Sequence, residues 1–352
     1  MEYKLYANCI KCKGVSRSII CDLQRNKYHL IPNSLFDLFD DNDQLSINFD
    51  SFEKAEIEIL SQYVEFLLLH ELIFAIENEE KEFFPKLSLE WDFPSIISNI
   101  IIDVEYVAFN WEQVLAQIED IKCYYLQIRF FRPASIRELS EISSLIFGST
   151  VQSFEIFTQY IQEEVEVVLS WAKSNPKLRS LILFGAPLDK EFYTATNGFT
   201  GVYLLKNLIS SSNHCGNISP SNFSVNIETF TESLKFNSCL NRKISIDGDG
   251  EIKNCPSMEK SYGNIKNTKL LDVANDPTFQ QVWSINKDQI SICKDCEFRY
   301  ICTDCRAYLE NPADPFSKPL KCGYDPKTCQ WEKWSTNPLK EAAIEYYSPQ
   351  TH

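Results

Sequence analysis

The chain has 352 residues, 44% of them hydrophobic and 24% charged, enough to bury a substantial core and divide into two or three domains, which excludes a disordered chain. Its formal net charge of -15, from 34 Lys plus Arg against 49 Asp plus Glu, opposes a generic phosphate-binding surface and argues against nucleic acid as the main partner. Glycine is scarce, at 10 residues, and neither G-x-G-x-x-G nor G-x4-G-K-[ST] occurs, so a nucleotide-driven reaction within this chain is not expected.

The opening MEYKLYANCIKC has no apolar core followed by a small-residue cleavage site, so the cytoplasm is the expected compartment. Three strand-like runs come first: Tyr3 to Asn8, SIICDLQ from Ser18 and KYHLIP from Lys27. Arg25-Asn26, between the last two, suits a tight hairpin because Asn tolerates a left-handed backbone. After Pro32, Asn33 or Ser34 caps a short helix, and a helix from Ser51 places Phe52, Ile59, Leu60, Tyr63, Phe66 and Leu67 on roughly one face. Three strands followed by helices make a small winged-helix pattern. The apolar run from Val64 to Ile76 contains Glu65, His70 and Glu71; it is too short to cross a bilayer and reads as a buried helix, so no membrane partner is expected. The acidic stretch from Glu77 to Pro85 reads as a solvated linker. This first domain is placed at residues 1–90.

From Ser95 the texture becomes strand, helix, strand: SNIIIDVE, NWEQVLAQIED, CYYLQIRFF, SIRELSEISSLIF, VQSFEIF, EEVEVVLSWAKSN and LRSLILFGAP. Such alternation predicts an α/β domain with parallel strands and helical crossovers, a whole or partial (β/α) barrel, over residues 91–225. Cys123 falls inside a predicted strand and reads as a buried structural thiol.

Beyond Phe230 the chain is punctuated by Cys, Pro, Asn and Gly and needs something other than an apolar core to order it. Cys239 and Cys255 flank a predicted hairpin, ISID and EIKNC, with Gly248 and Gly250 near its turn. Cys293-x2-Cys296-x5-Cys302-x2-Cys305 then precedes Cys322 and Cys329. Thirteen cysteines in a reducing compartment would not persist as disulfides, and paired thiols at this spacing suit iron-sulfur clusters or zinc. Zinc held by Cys293, Cys296, Cys302 and Cys305 would leave Cys239 and Cys255 without a role. Cys9, Cys12 and Cys21 raise a smaller alternative site in the first domain.

The arrangement Cys239-x10-Gly250-x4-Cys255, Cys293-x2-Cys296-x5-Cys302-x2-Cys305 and Cys322 resembles the SPASM domain of radical SAM peptide-modifying enzymes. It departs from that pattern by having two residues rather than three between Cys302 and Cys305. The resemblance implies a SPASM domain at 226–340, before a tail at 341–352, with two auxiliary [4Fe-4S] clusters. Cys239, Cys255 and Cys305 would serve the first, with Cys215 the available upstream ligand; Cys293, Cys296, Cys302 and Cys322, or Cys329 in its place, would serve the second. The middle domain is then a degenerate radical-SAM-like barrel, because YVAFNWEQ follows the first strand with no C-x3-C-x2-C and RPASIREL follows the second with no glycine-rich segment. S-adenosylmethionine is accordingly not expected.

The opening ANCIKCKGVSRSIICDLQRNKYHLIPNSLFDLF resembles the PqqD-like precursor-recognition domain. Such a domain takes a leader peptide as an added strand, which implies contacts along Lys27, Tyr28, His29, Leu30 and Ile31, with Tyr63 and Phe66 on the flanking helix. Across nearly its whole length the chain resembles the SPASM-domain peptide maturase of the grasp-with-spasm system. That resemblance implies a ribosomal precursor peptide and an ATP-grasp ligase as partners. Three roles follow: an accessory factor that grips the precursor, a redox enzyme that modifies it through its clusters, or a zinc-stapled binding module.

Overall fold

In the computed structural model the chain is described over residues 2–47, 53–105, 109–193 and 200–348. The first unit contains β1 Glu2–Leu5, β2 Cys9–Lys13, β3 Ser18–Asp22, β4 Lys27–Ile31, α1 Asn33–Phe36, β5 Gln44–Ser46, α2 Lys54–Leu69 and β6 Ile73–Ala75. They form two antiparallel sheets of three strands, β5-β1-β6 and β2-β3-β4. The strand from Tyr3 thus lies in a different sheet from the expected β3–β4 hairpin, and β2, a strand not expected from the sequence, pairs with β3 instead. The β3–β4 loop spans four residues rather than two, with Asn26 at φ +55°. The helix buries Leu60, Val64 and Leu67 while Ile59 is exposed, and Phe52 lies outside the described residues. The run read as one buried helix from Val64 to Ile76 is split: α2 ends at Leu69, Glu71 turns at φ +52°, and Ile73–Ala75 pairs with β1.

The middle of the chain follows its predicted rhythm: β7 Asn99–Val104, α3 Trp111–Asp120, β8 Tyr125–Phe130, α4 Ile136–Phe147, β9 Ser153–Gln159, α5 Val165–Ser174, β10 Leu178–Phe184, then β11 Lys190–Tyr193 and β12 Gly201–Leu205. Polar caps start the first two helices. Asn110 accepts from the Gln113 amide at 3.1 Å, and Ser135 and Glu138 cap each other's backbone. In β9 buried residues alternate with half-buried ones, because only one face of the sheet packs on helices. Ile102, Ile128, Leu139, Ile142, Ile156 and Leu181 form the centre of that core.

After α6 Ile227–Lys235 come β13 Lys243–Ile246 and β14 Ile252–Lys253. They form the predicted hairpin, with Gly250 at φ +87° in its turn. β13 also pairs parallel with β7, in register Ile244 to Ile100 and Ile246 to Ile102. The result is one open, mostly parallel sheet of eight strands, ordered β11-β12-β10-β9-β8-β7-β13-β14, which runs across the expected boundary at 225/226. Short pieces complete the chain: α7 Leu270–Ala274, α8 Pro277–Gln280, the β15 Tyr324–Asp325 and β16 Gln330–Trp331 hairpin, and α9 Glu341–Tyr347. Among the described residues no helix is long and apolar enough to cross a membrane.

Candidate metal centres

Beyond the β13–β14 hairpin the loops converge on two sets of thiols. In the first, burial pushes the Cys255 thiol up to about 12, with Cys215 and Cys239 adding to the effect. Cys305 is raised by burial and then by Cys239, Cys215 and Cys255. These four side chains thus lie within electrostatic reach of one another. Cys239 is held by Asn237, whose side-chain oxygen accepts from the amides of Cys239 and Leu240 at 3.0 and 2.9 Å. Cys215, exposed, is brought in by Lys321, whose ammonium donates to the carbonyls of Asn213 and Cys215 at 2.5 and 2.8 Å. The next residue, Gly216, sits at φ +86°, and a Cβ there would come within 2.8 Å of the Cys305 sulfur. Only glycine lets the backbone approach so closely.

In the second set, burial pushes Cys293 up to about 12, opposed by Lys287 and reinforced by Asp304, Cys322 and Cys302. Cys296 is raised well above its ordinary value by burial, then by Cys302, Glu297 and Cys293. Lys340 fixes the Cys322 loop by donating to the Leu320 and Cys322 carbonyls at 2.8 and 2.6 Å. Cys329 stands apart. It lies at φ +57° between β15 and β16, with its sulfur 3.8 Å from the Pro326 carbonyl.

The segment from Cys302 to Cys305 joins the two sets. Between its thiols Asp304, fully buried, accepts from the Asn237 side chain at 2.7 Å, and Ser238 donates to the Cys302 carbonyl at 3.2 Å. A second link pairs Ile218 with Cys322, parallel, three residues after Cys215.

Each set also has an ammonium against a sulfur, which spacing alone did not reveal. Lys287 lies 3.0 Å from the Cys302 sulfur and Lys243 lies 3.6 Å from that of Cys239. Burial works to lower the Lys287 ammonium, but Cys302, Asp304 and Cys293 more than reverse it, so it is held raised. Lys243 is raised in the same way by Cys239, Cys255 and Cys215 against its own burial.

The donor chemistry fits an inorganic group in both places. Buried free thiols with raised pKa values are protonated at neutral pH, and coordination is what makes them thiolates. Among the described residues, no three His, Cys, Asp or Glu side chains converge as a single metal ion requires, with Zn–S distances of about 2.3 Å.

Other expected sites have plainer roles. Strand alternation sends Cys9 to the core shared with Leu60 and Leu67, and sends Cys12 and Cys21 to the core shared with Phe298 and Cys302, so Cys9 and the other two thiols lie in different cores, although both Cys12 and Cys9 help burial raise Cys21. Cys123 lies just before β8 rather than within it, with no exposed surface and its sulfur 3.4 Å from the Tyr125 carbonyl. At the carboxyl ends of β7 and β8, where barrel enzymes assemble their chemistry, Arg129 grips the buried Asp103 at 2.7 and 2.8 Å. Residues 106–108, at the position expected for a radical SAM triad, lie outside the described residues. A cleft of about 810 Å³ opens instead at the amino ends of β7 to β9, lined by Tyr125, Gln127, Glu155, Glu232, Lys243 and Cys239. It borders the first thiol set.

Among the described residues β4 is an edge strand, paired only with β3. Its side chains divide by alternation. His29 points toward α2, its ring 6.2 Å from Phe66 and 4.6 Å from His70, and Ile31 is buried in the same core. Tyr28 turns the other way and packs on Phe223 and Phe298 at 6.1 and 5.4 Å, which ties this sheet to the cysteine-rich segment. Lys27 and Leu30 are exposed, and the Tyr63 hydroxyl meets that of Ser34 at 3.0 Å. The β2–β3 turn makes a further tie: Arg17 pairs with the fully buried Glu297 at 2.6 Å, and the Val15 amide donates to the Asp295 carbonyl at 2.8 Å.

Residues 238–297 match the family model of the SPASM domain, described as an iron-sulfur cluster-binding domain. The chain therefore contains an iron-sulfur cluster-binding domain. No curated protein is significantly similar to the chain. Among solved structures, that of SuiB from Streptococcus suis aligns over 90% of this chain and 98% of its own, with a TM-score of 0.39 and 10% identity. A likeness so distant carries no residue across.

Proposed function

We propose that the protein is an iron-sulfur factor for maturation of a ribosomally made peptide, holding two [4Fe-4S] clusters and gripping the precursor along β4. The carrying observation is the pair of four-thiol sets: Cys215, Cys239, Cys255 and Cys305 lie within mutual electrostatic reach, and Cys296 and Cys322 each lie within reach of Cys293 and Cys302. Eight thiolates complete two four-ligand clusters and leave no protein-free iron, which favours a structural or electron-transferring role over substrate chelation. When bound, such a group supplies cross-links and one-electron redox capacity. The chain's own residues do the rest: Lys321 and Lys340 hold the two outlying ligand loops by their carbonyls, and Asp304 with Asn237 fixes the segment shared by the sets.

An extended peptide added to β4 would gain main-chain hydrogen bonds from the free strand edge and pack side chains against His29, Phe66 and His70. The acidic chain favours a precursor with basic residues. The ATP-grasp ligase as partner rests on the resemblance to the grasp-with-spasm maturases. The absence of C-x3-C-x2-C after β7 supports an accessory role over a radical SAM reaction.

Anaerobic purification followed by iron, sulfide and visible-absorbance measurement tests the clusters. About eight irons and a brown protein are expected, and a colourless protein with two zinc ions overturns the reading. Fluorescence anisotropy with a labelled precursor tests the edge: Phe66→Ala should weaken binding about tenfold, and an unchanged affinity removes β4 from the proposal.

A further inference from the structure

Around the two thiol sets, four lysines contact the ligand-bearing segments in two different ways. Lys321 and Lys340 donate to backbone carbonyls. Lys287 and Lys243 instead place their ammonium groups against a ligand sulfur, at 3.0 Å from Cys302 and 3.6 Å from Cys239. Lys287 is only 4% exposed, and its other hydrogen bond is to the Thr303 carbonyl at 3.2 Å. Among the described residues neither lysine has a carboxylate at ion-pair distance. Asp304, near Lys287, is engaged by Asn237 and by Arg306 at 2.7 Å.

A buried ammonium needs a compensating anion, because desolvating an isolated charge costs several kcal/mol. Here the nearest candidate is a cysteine sulfur, which becomes that anion only as a thiolate ligand. We propose that Lys287 and Lys243 are positioning residues that each supply the counter-charge of the cluster in their own thiol set and thereby set its reduction potential. The inference rests on the two-cluster reading. A cluster with four thiolate ligands is already anionic, and reduction adds one more electron to a buried site. A fixed cation stabilises the reduced form more than the oxidised form and raises the potential, as does a hydrogen bond to a ligand sulfur. Lys287 is nearer and more buried, so its effect is the larger. Lys243 borders the cleft below β7 to β9, where water screens it.

The test is a redox titration of the anaerobically loaded full chain, followed by electron paramagnetic resonance. The two signals are assigned with Cys239→Ala and Cys302→Ala. Lys287→Met should shift the Cys302 cluster negative by at least tenfold in its one-electron equilibrium, about 59 mV, and leave the other unmoved. Lys243→Met should do the reverse, by less. Lys287→Arg keeps the charge and should retain most of the potential, and Lys294→Met, an exposed neighbour of Cys293, should change nothing. Unmoved potentials at full iron and sulfide content overturn the proposal, as do equal shifts in both clusters. If Lys287→Met fails to load, Lys287→Arg decides: loading near the original potential supports a counter-charge, and failure to load overturns it. A colourless starting protein ends the cluster reading and this proposal with it, whereas loaded clusters with unmoved potentials end only this one.

Discussion

Between β7 and β12 the buried set is dominated by aliphatic and aromatic side chains, such as Ile100, Ile128, Leu139 and Phe154. From Asn237 to Lys340 it includes Asn237, Lys287, Glu297, Asp304, Lys321 and Lys340 among the thiols. The first region is stabilised by apolar area removed from water. The second has short elements joined by loops and buries charges that hydrophobic packing alone does not compensate. The difference teaches that one chain uses two sources of order, and under the proposed function the inorganic group would complete the second.

The largest expected effect separates the two regions outright. Cys302→Ala should lose its cluster and open the Cys293 to Cys322 loops to trypsin while β7 to β10 stay protected, as limited proteolysis with mass spectrometry would read. Equal protection of both regions would break the comparison.

Next in size is a pH effect confined to the cluster-free protein. Cys255 and Cys293 have folded pKa values raised from 9.0 to about 12. A thiol raised in this way contributes stability that is fully present below about pH 9 and is lost as pH rises through about 12. Ligated thiols carry no proton to lose. Denaturant unfolding of the cluster-free protein should therefore weaken from pH 9 upward more steeply than that of the loaded protein.

Leu139→Ala, at a position with no exposed surface, should cost about 2–5 kcal/mol in urea unfolding and leave iron per folded chain unchanged. Gly14→Ala should cost less, about 1–3 kcal/mol. Its Cβ would lie 2.6 Å from the Arg17 carbonyl and 2.8 Å from the Glu297 amide. Amide exchange should quicken around Cys293–Arg299 and not in α4, because this turn is where the β2-β3-β4 sheet meets the second thiol set.

Legibility follows the same division. The strands and helices from Asn99 to Phe184 stand where alternation put them, since local pattern and final packing agree there. The N-terminal unit was less legible: β2 carries Lys11 and Lys13 among its five residues, and the run after Val64 hides a turn at Glu71. Both depend on pairing with distant strands. Spacing together with the family resemblance pointed to the eight cysteines, but not to Lys243 and Lys287, because a single lysine has no pattern of its own.

By itself the sequence determined the α/β alternation and the thiol-rich character of the C-terminal third, because residue period and local spacing act within a few turns of chain. Only the tertiary structure decided that Cys322 comes within electrostatic reach of Cys293 and Cys302, that Cys9 packs in a different core from Cys12 and Cys21, and that Arg17 reaches Glu297 across 280 positions. Those contacts join segments with no local rule between them, and their geometry exists only once the sheets and loops have packed.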